Sequence, residues 1–386
     1  MNVTALSPNF HIFTRFGVWL PPEWPSGWRR ILYKTYACFV TVMLYSMFSF
    51  QFIGVFGSIG NINELVESIY TSATVFNLGC KIFNLLEKRR DIVKLLGLLE
   101  ADICQIKSQA EKEIQEKCNR RIWNRTKFLC LFFETTCVTM VLTSTVKHIP
   151  ERSLPLKAWL PFNYADGYTY WPVYMHQVIG LVYVGMIHAS YDTFIVGVML
   201  TLCSQLKILQ YRNSEMSLLN VRVTTVAVVD QKMLEKEFVT NSIRHHQLLQ
   251  QFAESFNNII IYVIFVQYSV SSFVICVTAY KLVNLEFDNP EIIFTILYCT
   301  SMITQTFFYC WYGNEVILES ANIGNSLYTS RWYSLNAGTV RDVTMVIHRM
   351  QHSMKFSCSP LFILSVDSLK NIMKVTYSTF SVLIKS

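Results

Sequence analysis

Seven ionisable side chains fall inside apolar stretches of this chain, where a charge is costly unless it is paired or wet. They are Lys81, Glu134, Asp192, Glu315, Asp367, Lys370 and Lys374. Side chains of this kind can carry ions or protons, open a gate, or simply hold helices together. The chemistry of the chain therefore depends on what surrounds each of them.

Their positions favour different roles. Lys81 and Glu315 lie near the predicted ends of apolar stretches, so we expect both to extend toward water. Asp192 is mid-stretch beside His188 and Tyr191, which favours a structural hydrogen bond, with a role in gating as the alternative. The last three ionisable residues, 367, 370 and 374, share one helical face, which could line a wet pathway or pair within a bundle.

Enzyme and metal signatures are missing from the sequence. It has no P-loop, HExxH, GxSxG or GxGxxG motif, so we predict a protein that is not an enzyme and needs no cofactor. His348 and His352 are four residues apart but have no carboxylate at ligand spacing, which favours a solvated helix face. The 11 cysteines include no CxxC pair, so neither a zinc site nor a disulfide framework is predicted.

Composition indicates a membrane protein. Of the 386 residues, 52% are hydrophobic and only 15% charged, whereas soluble domains carry about 25% charged residues. Seven stretches are long enough to cross a bilayer as helices. They cover residues 32–59, 65–86, 126–146, 172–206, 258–283, 291–318 and 360–384. The prediction is an all-α polytopic membrane protein with seven transmembrane helices.

The basic residues predict the orientation of these helices. With the N-terminus in the cytoplasm, 25 of the 33 Lys and Arg residues lie in cytoplasmic segments and five in outer segments. Basic residues favour the cytoplasmic side, so with an odd number of spans this bias places the C-terminus outside. The net charge of +7 is accounted for by these loop residues, which argues against a nucleic-acid-binding protein. Amphipathic segments around 88–127, 234–256 and 340–354 predict a helical anchor region below the membrane.

The outer halves of the predicted spans are rich in aromatic, methionine and small polar residues, a mixture that suits a pocket for small apolar molecules. The candidate ligand-binding residues are Tyr70, Thr74, Met140, Ser144, Met175, Gln177, Val178, Leu181, Tyr298 and Met302. Ordinary helix packing is the alternative for each of them. The aromatic-rich segment 147–171 is either a belt at the lipid headgroups or a lid over an outer vestibule.

The C-terminal region resembles that of the insect odorant receptors, a family of seven-span ligand-gated cation channels. The similar residues are Phe308 to Glu315, then Ser320, Leu327, Tyr328 and Trp332, then Arg349-Met350-Gln351, and finally Ser365 to Leu383 with Thr376-Tyr377-Ser378. The chain departs from the family where Lys355-Phe356 replaces a common Lys-Pro pair. Leu383 stands where the family's shared co-receptor has a polar residue, so the chain resembles a tuning subunit.

The resemblance implies four regions and a set of partners. Residues 1–31 would be a cytoplasmic segment, 32–318 six spans with the ligand pocket, 319–359 the cytoplasmic anchor, and 360–386 the pore-lining seventh helix. It also implies a heterotetramer with the odorant receptor co-receptor, a small volatile odorant as ligand, contact with membrane lipid, and the plasma membrane of an olfactory sensory neuron dendrite. Aligned on Thr376-Tyr377, the gate would comprise Thr376, Phe380 and Leu383.

Three other classes remain open from the residues. A secondary transporter would explain the intramembrane charges, but no inverted repeat or pair of broken helices is visible. A membrane enzyme would need a catalytic set. A metabotropic chemoreceptor with inverted topology would signal without carrying current itself.

Overall fold

The structure is a computed structural model, and it describes residues 6–21, 27–60, 62–148, 154–156, 158–162, 167–222, 228–285, 289, 291–359 and 362–385. The elements are α1 (Ser7–Arg15), α2 (Trp28–Gly57), α3 (Ile62–Glu87), α4 (Arg89–Leu98), α5 (Gln109–His148), α6 (Gly167–Arg222), α7 (Val228–Asn284), α8 (Glu291–Thr329), α9 (Ala337–Met350), β1 (Ser357–Ser359), β2 (Phe362–Ile363) and α10 (Val366–Lys385). The fold is all-α, as predicted, apart from the small antiparallel pair β1–β2.

Several helices are much longer than a bilayer requires. Helices α6 and α7 contain 56 and 57 residues, which makes each about 85 Å long at 1.5 Å per residue. The hydrocarbon core needs only about 30 Å. Both helices therefore extend into water and carry the anchor region with them.

Helix α6 is the centre of the bundle. Its most apolar stretch is 94% buried, against 28% for the corresponding stretches of α2 and α5. Helices α5, α8, α7, α3 and α2 surround it, and α1 packs against the part of it near Ser190 and Thr193. The Asn9 amide of α1 donates to the Ser190 carbonyl at 3.0 Å and to the Thr193 hydroxyl at 2.6 Å. A helix buried on all sides can use its whole circumference to position side chains.

Five described helices are long and apolar enough to cross a membrane, so the chain is a multi-pass membrane protein. They are α2, α5, α6, α7 and α8. The second and seventh predicted spans are present as helices α3 and α10, but buried amides, Lys81 and the charges at 367–374 make them more polar. The count of seven spans stays a prediction.

The last helix begins later than predicted. Its N-terminus is Val366, whereas the sequence pattern suggested residue 360. The intervening residues form the β1–β2 pair, in which Ser357 lies opposite Ile363. Pro360, taken as the start of the span, lies outside the described residues. Residues 362–363 therefore form a strand where the sequence pattern predicted the first turn of the last helix.

Ion pairs join the helices of the anchor region. Arg121 of α5 donates two hydrogen bonds to the Glu315 carboxylate of α8, at 2.7 and 3.1 Å. Arg212 of α6 contacts Glu111 at 2.8 Å and also donates to the Ile103 carbonyl. Planar guanidinium groups suit such bidentate contacts. Glu315 is therefore fixed between helices, and the expectation that it simply extends toward water is wrong.

The orientation can be tested with epitope tags. We expect a tag at the N-terminus to stain only after permeabilisation and a tag after Ser386 to stain on intact cells, because of the distribution of Lys and Arg. Immunofluorescence with and without detergent is the measurement, and tagged versions with wild-type surface levels are the control. An N-terminal tag that stains on intact cells would contradict the topology.

Candidate ligand cavity

A cavity of about 80 Å³ lies inside the bundle near the α2–α3, α5–α6 and α7–α8 connections, the end predicted to be outside. Five helices and one connecting segment line it. The lining residues are Met47, Gln51, Thr71, Thr74, Val75, Phe133, Thr136, Cys137, Met140, Leu156, Leu181, Val184, Gly185, His188, Phe294, Tyr298, Ser301, Met302 and Gln305. Apolar and aromatic side chains dominate, with a few polar groups among them, which is the usual make-up of a small-molecule site.

Half of the predicted ligand residues lie on this cavity. Thr74, Met140, Leu181, Tyr298 and Met302 all line it. The Thr74 and Tyr298 hydroxyls are hydrogen-bonded to each other, so α3 and α8 are tied together at the cavity wall. Thus four helices contribute residues that the sequence pattern had selected.

Tyr70 lies one layer behind the cavity. Its ring packs on that of Tyr298, with 5.2 Å between the centroids, and the Tyr298 hydroxyl also contacts the Tyr70 carbonyl at 3.2 Å. Tyr70 therefore fixes the position of a lining residue without lining the cavity itself.

The other four predicted residues do not line the cavity. Ser144 is buried in α5, one turn beyond Met140. Met175 is 53% exposed on the surface of α6. Val178 packs with Leu154, Tyr170 and Tyr174 in a separate cluster, and Gln177 binds the connecting segment instead.

That connecting segment covers the cavity. Leu156, 3% exposed, lines it directly. The Gln177 amide accepts from the Leu156 nitrogen at 2.9 Å and donates to the Leu156 carbonyl at 3.1 Å. The Trp159 nitrogen donates to the Phe50 carbonyl at 3.0 Å, which holds the segment on α2. The described part of 147–171 therefore has the arrangement of a lid.

The lining residues that sequence reasoning missed follow helical periodicity. From Met140, steps of three and four residues back along α5 lead to Cys137, Thr136 and Phe133. From Leu181, the same steps forward along α6 lead to Val184, Gly185 and His188. Residues so spaced share one helical face. One lining residue on α5 and one on α6 are thus sufficient to locate the other lining residues of those helices.

Below the cavity lies a buried polar network. His188 donates through Nε2 to the Thr74 carbonyl at 3.2 Å, and its Nδ1 accepts from Lys81 Nζ at 3.1 Å. Lys81 also forms an ion pair with Asp192, which accepts a 2.6 Å hydrogen bond from the Tyr309 hydroxyl. Lys81 is fully buried, so the expectation that it extends toward water is wrong.

A second branch of the network reaches α7. Gln305, on the cavity wall, accepts from the Gln267 amide at 2.7 Å, and Gln267 accepts from Asn77 at the same distance. Polar groups from α3, α6, α7 and α8 are therefore connected directly beneath the cavity. Such networks hold a unique helix arrangement only when their members are mutually satisfied.

Close contacts connect α7 and α8 to the segment that leads into the last helix. The Tyr268 hydroxyl lies 3.1 Å from Cys310 Sγ, and the Tyr268 ring stacks on Phe362 of β2, with 6.2 Å between centroids. Gly313 lies so close to the backbone before α10 that a Cβ atom there would be 2.6 Å from the Leu364 oxygen. Helix α8 is therefore in close contact with the backbone that leads into α10.

We expect Gly313→Ala to impair the chain because the added methyl group would force α8 and the Leu364 backbone apart. Overpacking of this kind costs about 1–3 kcal/mol. The surface level, measured by biotinylation, should fall. The matched control is Gly97→Ala in α4, where nothing lies within 4 Å of the new methyl group. Equal behaviour of the two variants would contradict the contact.

The last helix has one packed face and one free face. Ile372 and Thr376, four residues apart, are both buried, and Phe380 on the same side is half-buried. Asp367, Lys370 and Lys374 are exposed on the opposite side, where Lys370 contacts Asp367 at 3.2 Å. The predicted gate residue Thr376 therefore packs on its own subunit. The side chain of Leu383 lies outside the described part of the chain.

The cysteines and histidines give no sign of catalysis. All eleven cysteines are free. Burial raises the pKa of the Cys104 thiol to about 11, so it stays protonated and unreactive in the anchor region. His348 and His352 are exposed. Among the residues that the structure describes, no group of three or more His, Cys, Asp or Glu could hold a metal ion.

The bundle of long apolar helices, with a small cavity at one end, is that of a multi-pass membrane protein. Comparison with known proteins identifies the class. The model of the 7tm odorant receptor family matches residues 61–377. The chain therefore belongs to this family, whose members are receptors, which confirms the prediction that it is not an enzyme.

Individual relatives can be aligned with this chain over most of its length. The chain is 24% identical to odorant receptor 46a, isoform B, of Drosophila melanogaster over 96% of this chain and 95% of that one. It is 22% identical to odorant receptor 10 of Aedes albopictus over 89% of each. The structure of the olfactory receptor OR5 of Machilis hrabei in complex with eugenol superposes with a TM-score of 0.81 at 15% identity, covering 98% of this chain and 97% of that one. The shared fold is that of an insect olfactory receptor.

Proposed function

We propose that the chain is the tuning subunit of an odorant-gated cation channel and binds a small volatile in the cavity beneath Leu156. The observation that carries the proposal is the cavity itself. It lies between five helices, is mostly apolar, and is lined by three methionines, Met47, Met140 and Met302. Flexible thioethers adapt to ligands of different shape.

The size of the cavity implies that it changes on binding. Its volume of about 80 Å³ is well below the range of about 300–1,000 Å³ typical of ligand pockets. A ligand would therefore displace lining side chains, and the methionines are the least costly to move. The network of His188 and Gln305 lies directly below and would transmit that displacement to α7 and α8.

The proposal places the ion pathway along α10. Because Ile372 and Thr376 pack inward, the free hydrophilic face with Asp367, Lys370 and Lys374 is the one available to a central pore in a tetramer. Phe380 and Leu383, proposed from the resemblance as gate residues, fall on the side of Thr376, so a gate formed by them requires α10 to turn that side toward the pore in the assembled channel. The partner would be the co-receptor, and the site of action the plasma membrane of the olfactory neuron dendrite.

Co-expression tests this function. Cells that express the chain with the co-receptor should give currents in response to some members of a panel of volatiles. The currents should persist in excised patches without nucleotide or G protein, because the channel itself carries them. Cells with the co-receptor alone are the control. Responses that vanish on patch excision would favour a metabotropic receptor, and uptake without conductance would favour a transporter.

A further inference from the structure

Gln51 of α2 is buried on the cavity wall without a hydrogen-bond partner. Its side chain is 1% exposed. Neither its Oε1 nor its Nε2 atom has a partner within the described part of the chain. An unsatisfied buried polar group costs about 1–3 kcal/mol, so an amide with two such atoms is a costly feature of an otherwise apolar wall.

The other polar groups of the cavity wall are already occupied. The Thr71 hydroxyl donates to the Glu67 carbonyl at 2.9 Å, and the Thr136 hydroxyl lies 3.2 Å from that of Ser301. Thr74 is bonded to Tyr298, and His188 and Gln305 belong to the network below. Of the lining residues that the structure describes, Gln51 is the one with buried side-chain atoms left unpartnered.

Gln51 also borders a second cavity of about 230 Å³, which lies between α2, the connecting segment and the start of α6. Met47 and Gln51 are the α2 side chains common to both cavities. Displacement of the Met47 side chain would join the cavities into one, with a volume at the lower end of the range of about 300–1,000 Å³ for ligand pockets. The Gln51 amide would then face the middle of the combined space.

We propose that Gln51 recognises the oxygen atom of the ligand, so that the receptor selects small oxygenated volatiles over hydrocarbons of the same shape. A ketone or ester oxygen would accept from Nε2, and an alcohol could in addition donate to Oε1. The hydrocarbon part would occupy the space among the methionines and aromatic rings. This inference rests on the proposed function and names the chemical class of its ligand.

The test is a matched panel on the receptor co-expressed with the co-receptor. It uses an aliphatic ketone, the corresponding alcohol, and the alkane of the same chain length. In the wild type, the ketone should be at least about tenfold more potent than the alkane, since one hydrogen bond to an otherwise unpaired amide is worth about that factor. In Gln51→Leu, which keeps a similar volume, the ketone should lose its advantage and the alkane should not weaken.

The control is Ser72→Ala. It removes a hydroxyl that is also buried and unpartnered but lines neither cavity. It should leave the order of potencies unchanged. A ketone advantage that survives in Gln51→Leu at normal surface level would overturn the role of Gln51. If Gln51→Leu fails to reach the surface, the wild type and Gln51→Met decide the question. Equal potencies of ketone and alkane on the wild type would overturn the role of Gln51. A ketone preference that is present in the wild type and lost in Gln51→Met would support it. A wild-type receptor that is silent to every volatile overturns the proposed function and this inference with it.

Discussion

Replacing Lys81 by methionine is expected to remove most of the folded protein from the cell surface. The substitution leaves the Asp192 carboxylate buried with no cation beside it, and breaking one side of a buried pair costs about 3–5 kcal/mol. That is a large share of a typical stability of about 5–15 kcal/mol. Surface biotinylation and the monodisperse peak in size-exclusion chromatography are the measurements.

The double variant Lys81→Met/Asp192→Leu tests whether the loss of surface protein comes from the unpaired Asp192 charge. Removing both charges should recover much of the surface protein, because two apolar side chains of suitable size can replace a buried pair at little cost. Lys94→Met, at an exposed position on α4, is the matched control and should behave as wild type. A single variant as abundant as wild type would show that the pair does not hold the bundle together.

Met302→Ala is expected to reorder the responses to a panel of odorants, with potencies changing by about 10- to 200-fold for ligands that fill the space of the lost side chain. Each methylene in an apolar pocket is worth about 1–3 kcal/mol, and the sign depends on how the ligand fits. Concentration–response curves for at least ten volatiles measure the effect.

Met175→Ala is the matched control for Met302→Ala, because it deletes the same atoms from a side chain that is 53% exposed on α6 instead of 2% exposed at the cavity. It should leave both potency and rank order unchanged. A uniform fall in current with an unchanged ranking in Met302→Ala would indicate an effect on folding or gating. Reordering by Met175→Ala would place the ligand elsewhere.

Much of the fold could be predicted because a bilayer restricts the choices. Apolar length and the requirement for internal hydrogen bonds make long helices the simplest solution, and the structure confirms the all-α class. The β1–β2 pair was missed because a short apolar run such as 361–364 has no period that distinguishes a strand from the first turn of a helix.

The cavity was only partly predictable from the sequence. Residue type selected Met140 and Met302, which line the cavity, but it also selected Met175, which does not, because methionine suits a lipid-facing surface as well as a pocket. Which face of α6 turns inward depends on packing with α5 and α8, and that cannot be obtained from residue type alone. The same reason applies to Thr376. Its spacing predicts a face shared with Phe380, but only packing decides that this face lies against the subunit's own helices.

The burial of Lys81 could not be predicted from its position in the sequence. Near the end of an apolar stretch, a lysine usually extends its amine to water, so sequence position alone favoured that outcome. Here a partner 111 residues away, Asp192, holds the amine inside. Pairings over such distances are set by helix register in three dimensions.

The most direct test of the account is a cryo-electron microscopy map of the receptor with its co-receptor and an activating odorant. We expect density for the odorant between α2, α5, α6 and α8, in contact with Met302 and Thr136 and beneath Leu156, with its polar atom near Gln51. A map obtained under the same conditions without odorant is the control. Odorant density found only outside this cavity, with the cavity as closed as in the unliganded map, would contradict the account.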